Sequence, residues 1–128
     1  MSKLINGIHH VCIKCVTEEE FAKTKGFYGS VLGLDLKRDW GSGVMFDTGN
    51  GLIEIIKNAK ENLPQGVLRH IAFRTDDVDS CIKKVKEAGY EIIMEPGDIS
   101  IAAEPVYPVR VGFCYGPMGE EIEFFTEK

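Results

Sequence analysis

Long hydrophobic runs are missing from this chain. No segment approaches the roughly 18 consecutive apolar residues of a membrane span, and the opening "MSKLINGIHH" has no signal-peptide core. The expectation is a cytoplasmic protein with no membrane partner. Runs of lysine and arginine are missing too, and the net charge is −5, so nothing supports nucleic-acid binding by charge. There is no low-complexity tract. Cysteines are few: Cys12, Cys15, Cys81 and Cys114. With no secretory signal, they read as reduced thiols. Cys12 and Cys15 have half the spacing of a zinc knuckle, but no second CxxC follows. On a strand, positions i and i+3 point to opposite faces, which disfavours joint chelation; small apolar filler is the plainer reading.

What is present is a repeat. At 128 residues the chain can bury one sizeable core, roughly two-thirds of its unfolded surface. Residues 7–15 read as a strand, and Thr17 with Glu20 forms the capping-box signature of a helix start. Phe21, Thr24, Phe27, Tyr28 and Val31 then fall at helical spacing, before the glycine-marked end in "GSVLGL". "LDLKRDW", "GVMFDTG" and "GLIEIIKN" are three strands separated by glycine-bearing turns. After "AKENLPQG", with Pro64 and Gly66, the order restarts. "LRHIAFRT" is a strand, and "DDVDSCIKKVKEAG" is an amphipathic helix with Val78, Cys81, Ile82, Val85 and Ala88 on one face. Gly89 is its stop. "YEIIMEP", "VRVGFCYG" and "EEIEFFTE" complete the second set. The pattern is βαβββ twice, about 60 residues per unit. This predicts an α+β fold of two modules, about 5–58 and 67–127, joined by linker 59–66 within one domain spanning 1–128. Each module's helix covers one sheet face.

Turns and helices alone align the halves, "FYGSVLGLDL" on "VKEAGYEIIM". One histidine–glutamate pair per half then falls into register: His10 with Glu54, and His70 with Glu123. Side-chain parity sorts the faces. Val11, Ile13, Ile53 and Ile55 go to the first helix; His10, Cys12, Lys14, Glu54, Ile56 and Asn58 go opposite. Ile71, Phe73, Ile122 and Phe124 go to the second helix; His70, Ala72, Arg74, Glu121, Glu123 and Phe125 go opposite. The adjacent His9 falls on the helix side by the same parity and reads as structural. Arg110 is expected opposite the helix, with Val109, Val111 and Phe113 alternating away from it. Lys14, Arg74 and Arg110 would then rim a pocket that captures an anionic group; pairing with Glu121 or Glu127 at strand ends is the competing reading.

A carboxylate flanked by Ile53 and Ile55 costs several kcal/mol to bury unless it is paired or bound to a cation, and Glu123 repeats the problem. A divalent cation solves both, two carboxylates offsetting its charge and two imidazoles completing four ligands. Two His and two carboxylates suit nickel or zinc foremost, with cobalt, manganese and ferrous iron also compatible. Oxygen-rich calcium and magnesium sites rarely use two imidazoles.

The segments "HHV…FYGSVLGLDL…GLIEII" and "RHIAFRTDDVD…GPMGEEIEFF" resemble the vicinal oxygen chelate superfamily over the whole chain. That superfamily includes glyoxalase I, methylmalonyl-CoA epimerase, extradiol dioxygenases, and fosfomycin- and bleomycin-resistance proteins. The resemblance implies two βαβββ modules forming a curved, eight-stranded mixed sheet with helices on its convex face. Glyoxalase I has His, Glu, His, Glu as its ligand set, which His10, Glu54, His70 and Glu123 match. Its pocket asparagine corresponds to Asn58. Where glyoxalase I holds glutathione with an arginine, this chain has Lys14, which supplies charge without a bidentate fork.

The implied function is a divalent-metal-dependent isomerase or lyase acting on a small vicinal-oxygen substrate through an enediolate, with a thiol cosubstrate as in glyoxalase I. Glu123 is the implied base, and Glu54 returns the proton. The alternatives are an epimerase, a dioxygenase or an antibiotic-modifying transferase of the same superfamily, or a non-catalytic small-molecule binding protein. Modules of this superfamily meet within one chain or across a dimer, and a homodimer is the expected assembly.

Overall fold

The computed structural model describes residues 4, 7–63, 66, 68–102 and 105–128. Residues 5 and 67, the expected module starts, and Pro64 of the expected linker lie outside the described residues. The chain divides into two compact units, Met1–Asn62 and Leu63–Lys128. The fold is α+β, with eight strands in two four-stranded mixed sheets and two α-helices among the described residues.

The first unit runs β1 (His10–Lys14), α1 (Glu18–Gly26), a π-helical turn (Phe27–Val31), β2 (Asp35–Asp39), β3 (Gly43–Asp47) and β4 (Leu52–Ile56). Its sheet order is β1-β4-β3-β2. β1 and β4 are parallel, and the other pairings are antiparallel. The capping box at Thr17 starts α1. Glu20 N–H donates to Thr17 Oγ1 at 3.1 Å, and Thr17 N–H donates to Glu20 Oε1 at 3.1 Å. Such a cap contributes about 1 kcal/mol. Glu18, Glu19 and Glu20 also face the positive end of the helix dipole.

The helix does not continue in α form to Val31. It widens at Phe27, where Leu32 N–H reaches back five residues to Phe27 O at 2.9 Å. The wider turn accompanies burial of two adjacent rings, Phe27 and Tyr28, which pack edge to face. Gly29 is required in this turn, because a Cβ there would sit 2.8 Å from the Phe46 ring of β3. Phe21, Phe27, Tyr28, Val44, Phe46, Ile53 and Ile55 are the buried core of this unit.

The second unit repeats the order: β5 (His70–Arg74), α2 (Val78–Glu87), β6 (Ile92–Ile101), β7 (Tyr107–Tyr115) and β8 (Glu121–Glu127), with sheet order β5-β8-β7-β6. β5 and β8 are parallel, matching β1 and β4. Asp77 caps α2 by accepting from Ser80 N–H at 3.0 Å. Gly89, at φ +92°, ends the chain reversal after it. Val78, Ile82 and Val85 are buried as the spacing predicted, whereas Cys81 is half-buried and Ala88 exposed.

β6 runs past the expected stop at Pro96 to Ile101. It is an edge strand whose ladder shifts register on both sides of Met94, and a proline is tolerated at such an irregular edge. No helix among the described residues is long and apolar enough to cross a membrane.

Candidate functional site

Both units place their histidine–glutamate pair by the same device. In the first, the parallel ladder sets Cys12 opposite Glu54, so His10 lies two residues before that partner on the same face. Ile53 and Ile55 turn to the core, and Glu54 turns away from it. His10 Nε2 comes within 3.4 Å of Glu54 Oε1, with the side chains 38% and 13% exposed. In the second unit Ala72 stands opposite Glu123, with His70 two residues earlier. His70 Nε2 lies 3.2 Å from Glu123 Oε1, and the side chains are 42% and 11% exposed. Ile122 and Phe124 are buried on the other face.

The separations are longer than the 2.7–2.9 Å of a closed, charge-assisted hydrogen bond. Two neighbouring ligands on a cation with arms of about 2.1 Å stand roughly 3.0–3.4 Å apart, and both pairs meet that spacing. Within each unit, among the described residues, the donors gather as two and not three. Each unit thus holds one imidazole and one carboxylate side by side. Burial pushes the pKa of Glu123 above the usual glutamate range, and the neighbouring His70 opposes the shift. An unpaired anion is thus disfavoured where a cation or a proton is favoured.

Cys12, on the His10 face, has its pKa pushed up to about 11 by burial and by the adjacent Glu54, so it stays protonated. Cys15 is buried and donates to Thr24 Oγ1 at 3.6 Å. The two cysteines face apart, as their spacing predicted.

Among the expected substrate contacts, Lys14 is exposed on the His10 face of β1, and Arg74 is exposed at the end of β5 on the His70 face. Asn58 is exposed just beyond β4. Arg110 requires a correction, because it lies on the helix side of its sheet. The β7–β8 register pairs Phe113 with Glu123, placing Phe113, Val111 and Tyr115 on the His70 face. Gly112 faces the helix, where a Cβ would meet Ile82 at 2.7 Å. Arg110 shares that side and is held by Asp79 of α2 at 2.7 Å and by Asp98 of β6 at 3.1 Å. In "VRVGFCYG", Val109, Val111 and Phe113 line one face and Gly112 and Cys114 the other, so Arg110 was the sole polar mark and gave no sign of which face met the helix.

Three neighbours were not singled out from sequence. Phe113 sets its ring edge against His70, with centroids 5.7 Å apart. Arg38 faces the same side as Met45 and Glu54 across three strands. His9 is exposed and not turned to the helix core; its Nδ1 stands 2.9 Å from Nδ1 of His10, with the rings edge to face. With its Nδ1 beside His9, His10 presents its Nε2 to Glu54. The doublet "HH" was the available signal.

Known proteins agree with this architecture. Residues 7–124 match the family model of the Glyoxalase/Bleomycin resistance protein/Dioxygenase superfamily. The uncharacterized protein YwkD of Bacillus subtilis is 26% identical over 136 residues, covering 97% of this chain and 99% of that protein. A crystal structure from Bacillus anthracis, assigned to the glyoxalase family, has a TM-score of 0.72 at 26% identity, with all of both chains covered. A glyoxalase/dioxygenase structure from Nostoc punctiforme shares the fold at a TM-score of 0.73 and 15% identity, covering 100% of this chain and 99% of that one. With its matched pair of βαβββ units, the chain belongs to the Glyoxalase/Bleomycin resistance protein/Dioxygenase superfamily.

Proposed function

We propose that this protein is a divalent-metal-dependent isomerase or lyase of the glyoxalase I kind, acting in the cytoplasm as a homodimer on a small vicinal-oxygen substrate. The observation that carries the reading is the duplicated His–Glu pair, each with an imidazole nitrogen and a largely buried carboxylate oxygen within 3.4 Å. His10, Glu54, His70 and Glu123 are the residues that would hold the metal, nickel or zinc foremost. When bound, such a cation supplies Lewis-acid polarisation of a carbonyl and its neighbouring oxygen.

The chain's own carboxylates do the proton work. Glu123 accepts the proton from the carbon beside the carbonyl, leaving the electron pair delocalised onto oxygen as an enediolate. Burial raises its pKa, which favours holding the proton once it is taken. Glu54, its counterpart in the first unit, relays a proton from solvent to the other carbon, and Glu123 releases its proton to solvent, so both carboxylates return to their starting state. Hydrogen thus moves from one carbon to its neighbour with no net redox change. Lys14, Asn58 and Arg74 are the proposed substrate contacts. Arg110 is not retained in that role, since Asp79 and Asp98 already occupy its guanidinium.

The test is elemental analysis of the purified protein, followed by turnover assays with methylglyoxal and several low-molecular-weight thiols. Metal-dependent isomerisation of a thiol adduct supports the reading. Oxygen uptake with ferrous iron and no isomerisation would move the protein to the dioxygenase branch.

A further inference from the structure

On the His10 face of the first unit, the ladder aligns Cys12, Glu54, Met45 and Arg38 in one row, and Lys14, Ile56 and Gly43 in the next. Gly43 is buried although it has no side chain, because the indole of Trp40 lies over it; a Cβ at Gly43 would collide with that ring. Trp40 is therefore folded onto the face that carries His10 and Glu54. The turn holds it there: Trp40 N–H donates to Gly43 O at 3.0 Å, Gly41 N–H donates to Asp39 Oδ1 at 2.9 Å, and Gly41 adopts φ +88°. Even so, Trp40 keeps 47% of its surface exposed. The exposed indole stands beside a half-buried apolar floor of Met45 and Ile56.

Gly43 is the diagonal neighbour of Glu54 on the adjoining strand, a span of about 7–8 Å. A flat group extending along the sheet from a substrate anchored at His10 and Glu54 would run toward Trp40 over Met45 and Ile56.

Resting on the metal-dependent reading above, we infer that Trp40, Met45 and Ile56 form a subsite for an aromatic ring, so that the preferred substrates are aryl-substituted vicinal-oxygen compounds. The ring stacks on the indole face and covers the apolar floor. Trp40 is a specificity-determining residue in this arrangement and takes no part in the proton transfer.

Trp40 is the only tryptophan of the chain, so its fluorescence reports the subsite directly. Phenylglyoxylate and pyruvate present the same pair of oxygens and differ in the ring. Each is titrated against the protein with and without added nickel or zinc, by fluorescence and by calorimetry. The expected result is quenching by phenylglyoxylate and an affinity roughly tenfold or more above that of pyruvate, the scale of one stacked ring with its buried area. By calorimetry, Trp40→Leu brings the two acids to within about threefold, whereas Trp40→Phe keeps most of the preference.

Equal affinities in the native protein, an unchanged preference in Trp40→Leu, or no binding of either acid would overturn the subsite. Metal dependence is read separately. If the ring preference persists with no effect of metal, the subsite stands and the metal-dependent reading fails. If metal strengthens both acids equally, with no preference between them, the reverse holds.

Discussion

At the scale of single residues, Glu123 is the most informative group. Its pKa is raised by burial, so the fold favours its protonated form. The associated stability is fully present below the ordinary glutamate pKa and is lost as pH rises through the folded value. Metal-free protein should therefore lose stability over that window. Glu123→Gln, neutral at every pH, should flatten the loss, which thermal unfolding across pH 4–8 would show. The same variant should lower turnover by about 10²–10⁴-fold if Glu123 is the base.

His9 carries a second prediction at this scale. Removing a partner that orients a metal-ligating histidine typically weakens metal affinity by about 10–100-fold. His9→Ala should do so in calorimetry while leaving thermal unfolding of the metal-free protein unchanged. Unaltered affinity would mean that the 2.9 Å contact with His10 orients nothing.

At the scale of elements, packing on glycine sets tight limits. A methyl group at Gly112 would press on Ile82 and Val78, which pin α2 to β7. Gly112→Ala should cost about 1–3 kcal/mol by overpacking, visible as a fall in Tm of several degrees. Arg110 ties the start of α2 to β6 and β7. With Lys128, it holds Asp79 and Asp98 below the usual aspartate range. Depressed carboxylate pKa values contribute stability above the unfolded value, near pH 4, which is lost as pH falls through the folded values. Arg110→Gln should therefore flatten the acid limb of the Tm profile below about pH 4 while leaving metal binding intact.

Legibility from sequence also varied by element. β4 and β8 could be read because an acid alternates with buried Ile53 and Ile55, or with Ile122 and Phe124, so the two faces differ in chemistry. β7 could not, since small or apolar residues fill each face, Val109, Val111 and Phe113 on one and Gly112 and Cys114 on the other, and Arg110 alone did not say which face met the helix. The continuation of β6 past Pro96 was hidden because proline usually ends a strand, and only the edge position and the register shifts accommodate it here. The π-helical turn was hidden because Phe21, Thr24, Phe27, Tyr28 and Val31 fit an α-helical face as well as the widened one.

At the scale of the whole molecule, the repeat was legible because turn and helix signals recur independently of the His–Glu pairs. Its consequence is that each unit carries one imidazole and one carboxylate in the same ladder position. Trp40 could be named from sequence as a candidate pocket wall but not told from a surface or core residue, because its placement depends on the hairpin turn at Gly41 and on the vacancy that Gly43 leaves, neither of which shows in residue spacing.

The duplicated pair also makes the central claim directly testable. Calorimetric titration of metal-free protein with nickel and zinc, repeated for His10→Ala, Glu54→Gln, His70→Ala and Glu123→Gln, measures whether both pairs hold the cation. The expected result is specific binding by the native protein, weakened in every one of the four variants. Native protein that takes up neither metal, or variants of one pair that bind as tightly as the native chain, would contradict it.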